Sequence, residues 1–275
     1  MKPIIAITDF SPVSLNAVNY AADMALSVQS DLLLMHVCNL PMAFSEVPYP
    51  AESLNEIVKE AEKNLAELEK ELLQKTTGKI KINTQVKTGS LISETEDYCN
   101  AKKPYAVIMG TQGSSAIERV FLGSTTVGML KNLSWPLIIV PPQAKFSGIK
   151  KVGFACDLET VDDTTPFAEL RYFVEDLHAE LHIVHVNPEN KKHYSVETMM
   201  ESRVLQNMLQ GLHPSFHFLN GTDIEEGLSK FAETNQLDLL VVVPKKHNII
   251  EQLFHKSHSK KLALHTQVPV MAVHE

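Results

Sequence analysis

The chain of 275 residues is one pattern written twice. Near its start, Pro3-Ile4-Ile5-Ala6-Ile7-Thr8-Asp9 is a short apolar run ending in an acid, followed by Ser11-Pro12 and an apolar-periodic segment. The run Ile149-Lys150-Lys151-Val152-Gly153-Phe154-Ala155-Cys156-Asp157 repeats it, and Thr165-Pro166 then opens the next periodic segment after a longer acidic loop. From Asp9 to Asp157 the offset is 148 positions. The next runs agree: Leu32-Leu33-Leu34-Met35-His36-Val37 returns as Leu181-His182-Ile183-Val184-His185-Val186. Unrelated domains would not share this order. The expectation is two copies of one domain, at 1–143 and 149–275, with the boundary in the turn-rich stretch 141–148.

Within each copy the apolar runs are too continuous for strands exposed on one face, which argues for parallel strands covered by helices on both sides. Ser11 at an N-cap with Pro12 at the first helical position starts the first helix. The segment from Glu52 to Lys75 sets Leu54, Ile57, Val58, Ala61, Leu65, Leu68 and Leu72 on one stripe opposite a Glu/Lys-rich face, and Gly78 ends that helix. A strand near Lys79 to Lys87, a helix from about Ser90 to Lys102, the strand Tyr105 to Met109, a glycine-bearing loop, a helix after Ser124 and the strand Leu137 to Val140 complete the first half. The second half places strands near Phe216, at Leu239 to Val243 and at Val268 to Val273, with helices between them. The predicted class is α/β: two tandem doubly wound domains, each a five-stranded, mostly parallel sheet with helices on both faces. Such sheets hold ligands beyond the carboxyl ends of their strands, where neighbouring crossovers leave in opposite directions. Asp9, Val37 and Gly110 lie at such ends.

Composition narrows the function classes. Lys plus Arg total 25 against 33 Asp plus Glu, a net charge of -8, which speaks against a phosphate-tracking surface and against nucleic acid as a partner. No apolar stretch approaches the ~18 residues of a membrane span. The start of the chain has neither a basic n-region nor a long apolar h-region. Three cysteines, Cys38, Cys99 and Cys156, lack C-x-x-C spacing and sit within or beside apolar runs. Packed, reduced thiols in a cytoplasmic protein are expected.

After the strand ending at Met109 comes Gly110-Thr111-Gln112-Gly113, then nine residues, then Gly123-Ser124-Thr125-Thr126 at the start of a helix. Glycines let a backbone approach an anion without a Cβ in the way, and a helix N-terminus offers unpaired N–H groups and a positive dipole end. The hydroxyls of Ser124 and Thr125 add donors for phosphate oxygens. No Gly-Lys-[Ser/Thr] sequence marks a Walker loop, and no G-x-G-x-x-G follows the first strand. Asp9 has an N-cap as its plain role. Ser11-Pro12 supplies a better cap two residues later, which leaves Asp9 free as an acceptor for an exocyclic amine.

At these residues the chain resembles the universal stress protein family, as a tandem of two family domains with the adenine-nucleotide alpha-hydrolase-like fold. The loop G-x2-G-x9-G-S matches the spacing of ATP-binding members without a gap. The resemblance implies that Asp9 and Val37 contact adenine, that Thr8 and Met109 line the base pocket, and that Gly110, Gly113, Gly123, Ser124 and Thr125 hold ribose and phosphates. It also implies Mg2+ held mainly by phosphate oxygens and water, and no protein metal ligands. Family members dimerise through the last strand, so an intramolecular pseudo-dimer of the two halves is expected, with a homodimer of whole chains left open.

The second half departs from the pattern. Aligning Ile117-Glu118-Arg119-Val120-Phe121 with Ile250-Glu251-Gln252-Leu253-Phe254 puts Val243, Lys246 and Lys256 opposite the three glycines, and only Ser257 keeps the chemistry of Ser124. Side chains there obstruct a backbone approach, and the acidic Glu159, Asp162 and Asp163 repel a triphosphate if they face the cleft. One ATP site, in the first half, is expected. Eleven of the twelve histidines lie in the second half; without H-E-x-x-H or paired-cysteine spacing they read as exposed or hydrogen-bonded rather than metal-ligating. Lys245, Lys246, Lys256, Lys260 and Lys261 read as a solvated basic face. The resemblance implies a stress-response or regulatory protein acting through nucleotide-dependent conformation or an unidentified protein partner. Two alternatives stand beside it. One is a slow ATPase or autophosphorylating phosphotransferase, which lacks a phosphate-loop cation and a general base, so no catalytic residue is assigned. The other is a binding module that uses the second-half cleft for a different small molecule or protein.

Overall fold

The computed structural model describes residues 2–38, 51–111, 123–187, 195–244 and 267–274. Among them the chain divides into two compact units, the first running to Phe146 and the second starting at Ser147. Unit 1 contains β1 (Ile4–Ile7), α1 (Pro12–Ser27), β2 (Leu32–Cys38), α2 (Ala51–Lys75), β3 (Ile82–Thr88), α3 (Leu91–Lys102), β4 (Ala106–Gly110), α4 (Ser124–Asn132) and β5 (Leu137–Val140). Its strands run in the order β3-β2-β1-β4-β5, and each neighbouring pair is parallel. All residues of β1, β4 and β5 are buried. Since successive strand residues point to opposite faces, helices must cover both faces, which is why these runs are apolar without alternation. The edge strand β3 is buried only at Ile82 and carries polar residues beyond it.

Unit 2 contains β6 (Lys151–Ala155), α5 (Val161–Thr164), α6 (Phe167–Asp176), β7 (Glu180–Asn187), α7 (Val196–Met208), β8 (Ser215–Asn220), α8 (Ile224–Thr234), β9 (Leu239–Val242) and β10 (Val270–Ala272). Its order, β8-β7-β6-β9-β10, is also parallel throughout. The strand order of unit 1 therefore recurs, with β6 in the place of β1. In both units the first strand lies between strands reached by crossovers in opposite directions, and its carboxyl end is the switch point at which such sheets bind ligands.

Local structure follows the residues closely. Pro12 opens α1, and Ser14 N donates to Ser11 Oγ at 3.3 Å, the cap that the Ser-Pro pair predicts. Beyond the end of α2, Gly78 takes φ +66°, the left-handed region that a side chain disfavours. Three details differ. The stripe of α2 is buried from Ala61 to Leu72, whereas Ile57 is 43% exposed, and Leu54 and Val58 line a cleft beside β3. The acidic loop after Asp157 folds into the short helix α5, so the next long helix starts at Phe167 with Pro166 at its N-cap and no side-chain cap. The helix expected between β9 and β10 lies outside the described residues.

Candidate functional site

The carboxyl end of β1 is a built turn. Thr8 N donates to Met35 O at 3.0 Å, which carries the β1–β2 ladder one residue past the strand. Thr8 is 3% exposed, and its hydroxyl accepts from Phe10 N at 2.9 Å and meets Ser14 Oγ at 3.0 Å. Phe10 takes φ +64°, uncommon for a residue with a side chain. Asp9 is half-buried, and its Oδ1 accepts from Ser11 N at 3.1 Å and from Ser11 Oγ at 2.6 Å. This corrects the argument that Ser11 releases Asp9. The Ser11 hydroxyl accepts from the helix while donating to Asp9, so the carboxylate orients the cap as well as standing at the strand end.

His36 closes this turn from the neighbouring strand. Its Nδ1 lies 2.8 Å from Thr8 O; a carbonyl only accepts, so Nδ1 carries the proton there. The ring packs against Phe10 with centroids 4.8 Å apart. Val37 follows it, half-buried at the end of β2 and in register with Lys87 on β3. Beyond Lys87 a cleft of about 590 Å³ opens between α2, β3 and α3, lined among others by Leu54, Val58, Val86 and the pair Lys87–Glu94, whose charged atoms are 3.8 Å apart.

On the other side of β1, the end of β4 meets the start of α4. Met109 is 6% exposed in the sheet. Gly110 owes its glycine to packing: a Cβ there would come within 2.9 Å of Val13 Cγ1 and 3.0 Å of Val13 O in the first turn of α1. Gly123 is different. As N-cap of α4 it has φ -63° and ψ 149°, extended backbone open to any residue, and it makes no side-chain cap bond. Neither conformation nor capping asks for glycine at this position, where Ser, Thr, Asn or Asp caps better. Gly123 N donates to Thr111 O at 2.9 Å, and Thr126 Oγ1 donates to Gly110 O and Thr111 O at 3.3 and 3.2 Å, pinning the helix to the strand. Ser124 and Thr125 are exposed in the first turn. Ser124 is therefore the first helical residue, and the cap is Gly123. Gly113 lies outside the described residues.

Thr111 is 6% exposed, and its Oγ1 is shut off from solvent with no hydrogen-bond partner among the described residues. A buried hydroxyl left in this way costs about 1–3 kcal/mol. The Thr111 carbonyl accepts from Gly123 N and Thr126 Oγ1, which sets the residue beside the N-terminus of a nine-residue helix, whose dipole and first N–H groups suit an anion. The donor set fits a phosphate group, although no lysine or arginine of the described residues contributes to it.

Unit 2 repeats the turn almost atom for atom. Cys156 N donates to Val184 O at 3.0 Å, as Thr8 N does to Met35 O. Leu158 N donates to Cys156 Sγ at 3.4 Å, Leu158 takes φ +55°, and Asp157 Oδ1 accepts from Glu159 N at 3.1 Å. His185 Nδ1 lies 3.1 Å from Cys156 O, as His36 Nδ1 does from Thr8 O. The role of His36 and His185 went unread in the sequence. The signal was present as a histidine at the same point of both repeats, before Val37 and Val186. Val243, opposite Gly110, is buried; Lys246, Lys256 and Ser257 lie outside the described residues, as do His247, His255, His258 and His265.

Fold and strand-end site together define a doubly wound α/β protein in two copies. The family model for universal stress proteins matches residues 1–141 and again 149–274. The chain belongs to the universal stress protein family and carries its domain twice. A universal stress protein of Methanocaldococcus jannaschii is 28% identical over 145 residues, 52% of this chain and 84% of that protein. Among solved structures, a universal stress protein from Archaeoglobus fulgidus superposes with a TM-score of 0.73 at 20% identity, covering 99% of this chain and 98% of the other. A functionally unknown protein from Pseudomonas aeruginosa reaches 0.56 at 12% identity over 100% and 92% of the two chains. These two likenesses concern the fold.

Proposed function

We propose that unit 1 binds ATP at the carboxyl ends of its strands and that the protein acts in the cytoplasm as a nucleotide-dependent regulator in a stress response, through contact with a protein partner. Adenine lies between Asp9 and Val37, with Thr8 and Met109 beneath it. Gly110, Gly113, Gly123, Ser124 and Thr125 surround ribose and phosphates. Mg2+, where present, is held mainly by phosphate oxygens and water.

The observation that carries this reading is the start of α4. There a glycine that neither conformation nor capping explains stands beside two exposed hydroxyls and the orphaned Thr111 Oγ1. An anion at the helix N-terminus accounts for the glycine and the two exposed hydroxyls. Val37 and Asp9, both half-buried, leave room for a flat base on the same edge of the sheet. Among the described residues no helix is long and apolar enough to cross a membrane, and the three cysteines form no disulfide.

The test is to denature freshly purified protein and quantify released nucleotide by chromatography and mass spectrometry, beside a Gly123→Val variant. About one ATP per chain, lost in the variant, supports the reading. No retained nucleotide and no binding of added ATP with Mg2+ would refute it.

A further inference from the structure

Unit 2 carries a pair of facing histidines that unit 1 lacks. His182 Nδ1 on β7 lies 3.0 Å from His217 Nε2 on β8, with ring centroids 5.2 Å apart. Phe231 of α8 packs against His217 at 4.7 Å. His182 is in register with Gly153 on β6, and Leu237, just past α8, fills the space that a Cβ at Gly153 would need. The pair thus ties the edge strand β8 to β7 beneath α8. In unit 1 the same sheet positions hold Leu33, in register with Ile5, and Gln85, in register with Met35. Their counterparts pair as His182 with Gly153 and His217 with Val184.

A hydrogen bond between two imidazoles needs one N–H and one bare nitrogen. The first added proton can be shared across the contact. A second leaves only donors facing each other and sets two positive charges side by side in a partly desolvated place. Few groups nearby offset this. From β6, Lys151 adds positive charge; from β7, Glu180 Oε2 lies 3.9 Å from His182 Nε2 but is 74% exposed; α8 presents the uncharged Phe231. His182 Nε2 is itself buried without a hydrogen-bond partner.

We propose that the His182–His217 pair is an acid-sensitive latch, holding β8 and α8 in place at neutral pH and releasing them when both rings are protonated. Burial lowers the pKa of His182, with Lys151 acting in the same direction against Glu180; burial and then His182 lower that of His217. The folded state therefore takes up fewer protons than the unfolded chain, so stability falls as pH drops below the ordinary imidazole value of 6.5. Glu225 in the first turn of α8 works the other way. Burial, with Asp223, pushes its carboxyl up to about 7, so its contribution is in place in acid and is lost as pH rises through that value.

Hydrogen exchange on the full chain at pH 7.5, 6 and 5, corrected for intrinsic rates, tests the latch against a His182→Leu/His217→Gln double variant that copies unit 1. In the unaltered chain the opening equilibrium of β8 and α8 should rise about tenfold or more between neutral pH and pH 5, while β3 in unit 1 changes little. In the double variant the rise should vanish or reverse, because Glu225 is then left to act alone. An acid response of β8 and α8 no larger in the unaltered chain than in the double variant overturns the proposal. Should the double variant not fold, single His217→Gln, whose amide can still donate to His182, must reduce the acid response; an undiminished response overturns the latch equally.

Discussion

At the ends of their first strands the two units use the same backbone ladder, the same aspartate turn, the same left-handed residue and the same histidine reaching back to a carbonyl. They differ in what surrounds that turn. In unit 1 Val37 is only half-buried, and the start of α4 presents Gly123, Ser124 and Thr125. In unit 2 Val186 is 7% exposed, and Gly227 brings α8 so close that a Cβ there would sit 3.3 Å from both Val186 methyls. The aspartate turn is therefore a device of the fold, kept whether or not the edge stays open. Among the described residues the feature that singles out unit 1 is the open edge at Val37; the stretch of unit 2 that corresponds to the start of α4 lies outside them. A strand-end aspartate alone is weak evidence for a ligand, and a glycine that the backbone does not require is stronger.

The sharpest way to break this comparison is Gly123→Val. The residue keeps φ -63°, so the chain should fold, with a loss of only about 1 kcal/mol from the poorer N-cap, while ATP affinity falls at least about 100-fold, or about 2.7 kcal/mol, by calorimetry; unchanged binding would remove α4 from the site. Gly110→Ala comes next. Its methyl meets Val13 side chain and backbone, and chemical denaturation should show a loss of about 1–3 kcal/mol, separating the packing glycine from the ligand glycine. Glu225→Gln, confined to unit 2, should leave stability unchanged in acid and raise it above pH 7, by on the order of 1 kcal/mol once partial exposure is discounted. A melting profile with the same pH dependence in both proteins would show that this carboxyl does not titrate high. The smallest effect belongs to the aspartates. Asp9→Ala removes the carboxylate's hydrogen bonds to Ser11, and Asp157→Ala its bond to Glu159, so losses of about 0.5–1.5 kcal/mol are expected for each. On the proposed function only the first lowers ATP affinity, and equal loss from both would place nucleotide in both units.

Much of the fold was legible because its signals are local or periodic. Continuous apolar runs marked strands buried on both faces, and Leu137 to Val140 matches β5 residue for residue. Ser11-Pro12 marked the start of α1, and Gly78 the end of α2. The misread places have non-local causes. Ile57 satisfies the helical stripe and is nevertheless exposed, because periodicity says which side a residue takes and not whether the sheet extends beneath it. Asp9 looked spare since one cap seemed enough, yet a hydroxyl that donates and accepts can serve a carboxylate and a helix together. Gly110 and Gly123 look alike in a spacing pattern, and only the approach of Val13 from another element tells them apart.

By itself, the sequence determined that this protein is two copies of one doubly wound α/β domain and that the glycine loop survives in the first copy alone. Order along the chain and side-chain size are properties of residues, and repetition exposes them without coordinates. Tertiary structure decided which polar groups are used up and which are left over. Thr8, Ser14 and His36 spend their hydrogen bonds on one another and on the backbone, Thr111 Oγ1 finds no partner among the described residues, and His182 meets His217 across two strands. Whether a polar atom is satisfied depends on neighbours brought from 6 to 35 positions away in these cases, and folding alone determines which neighbours those are.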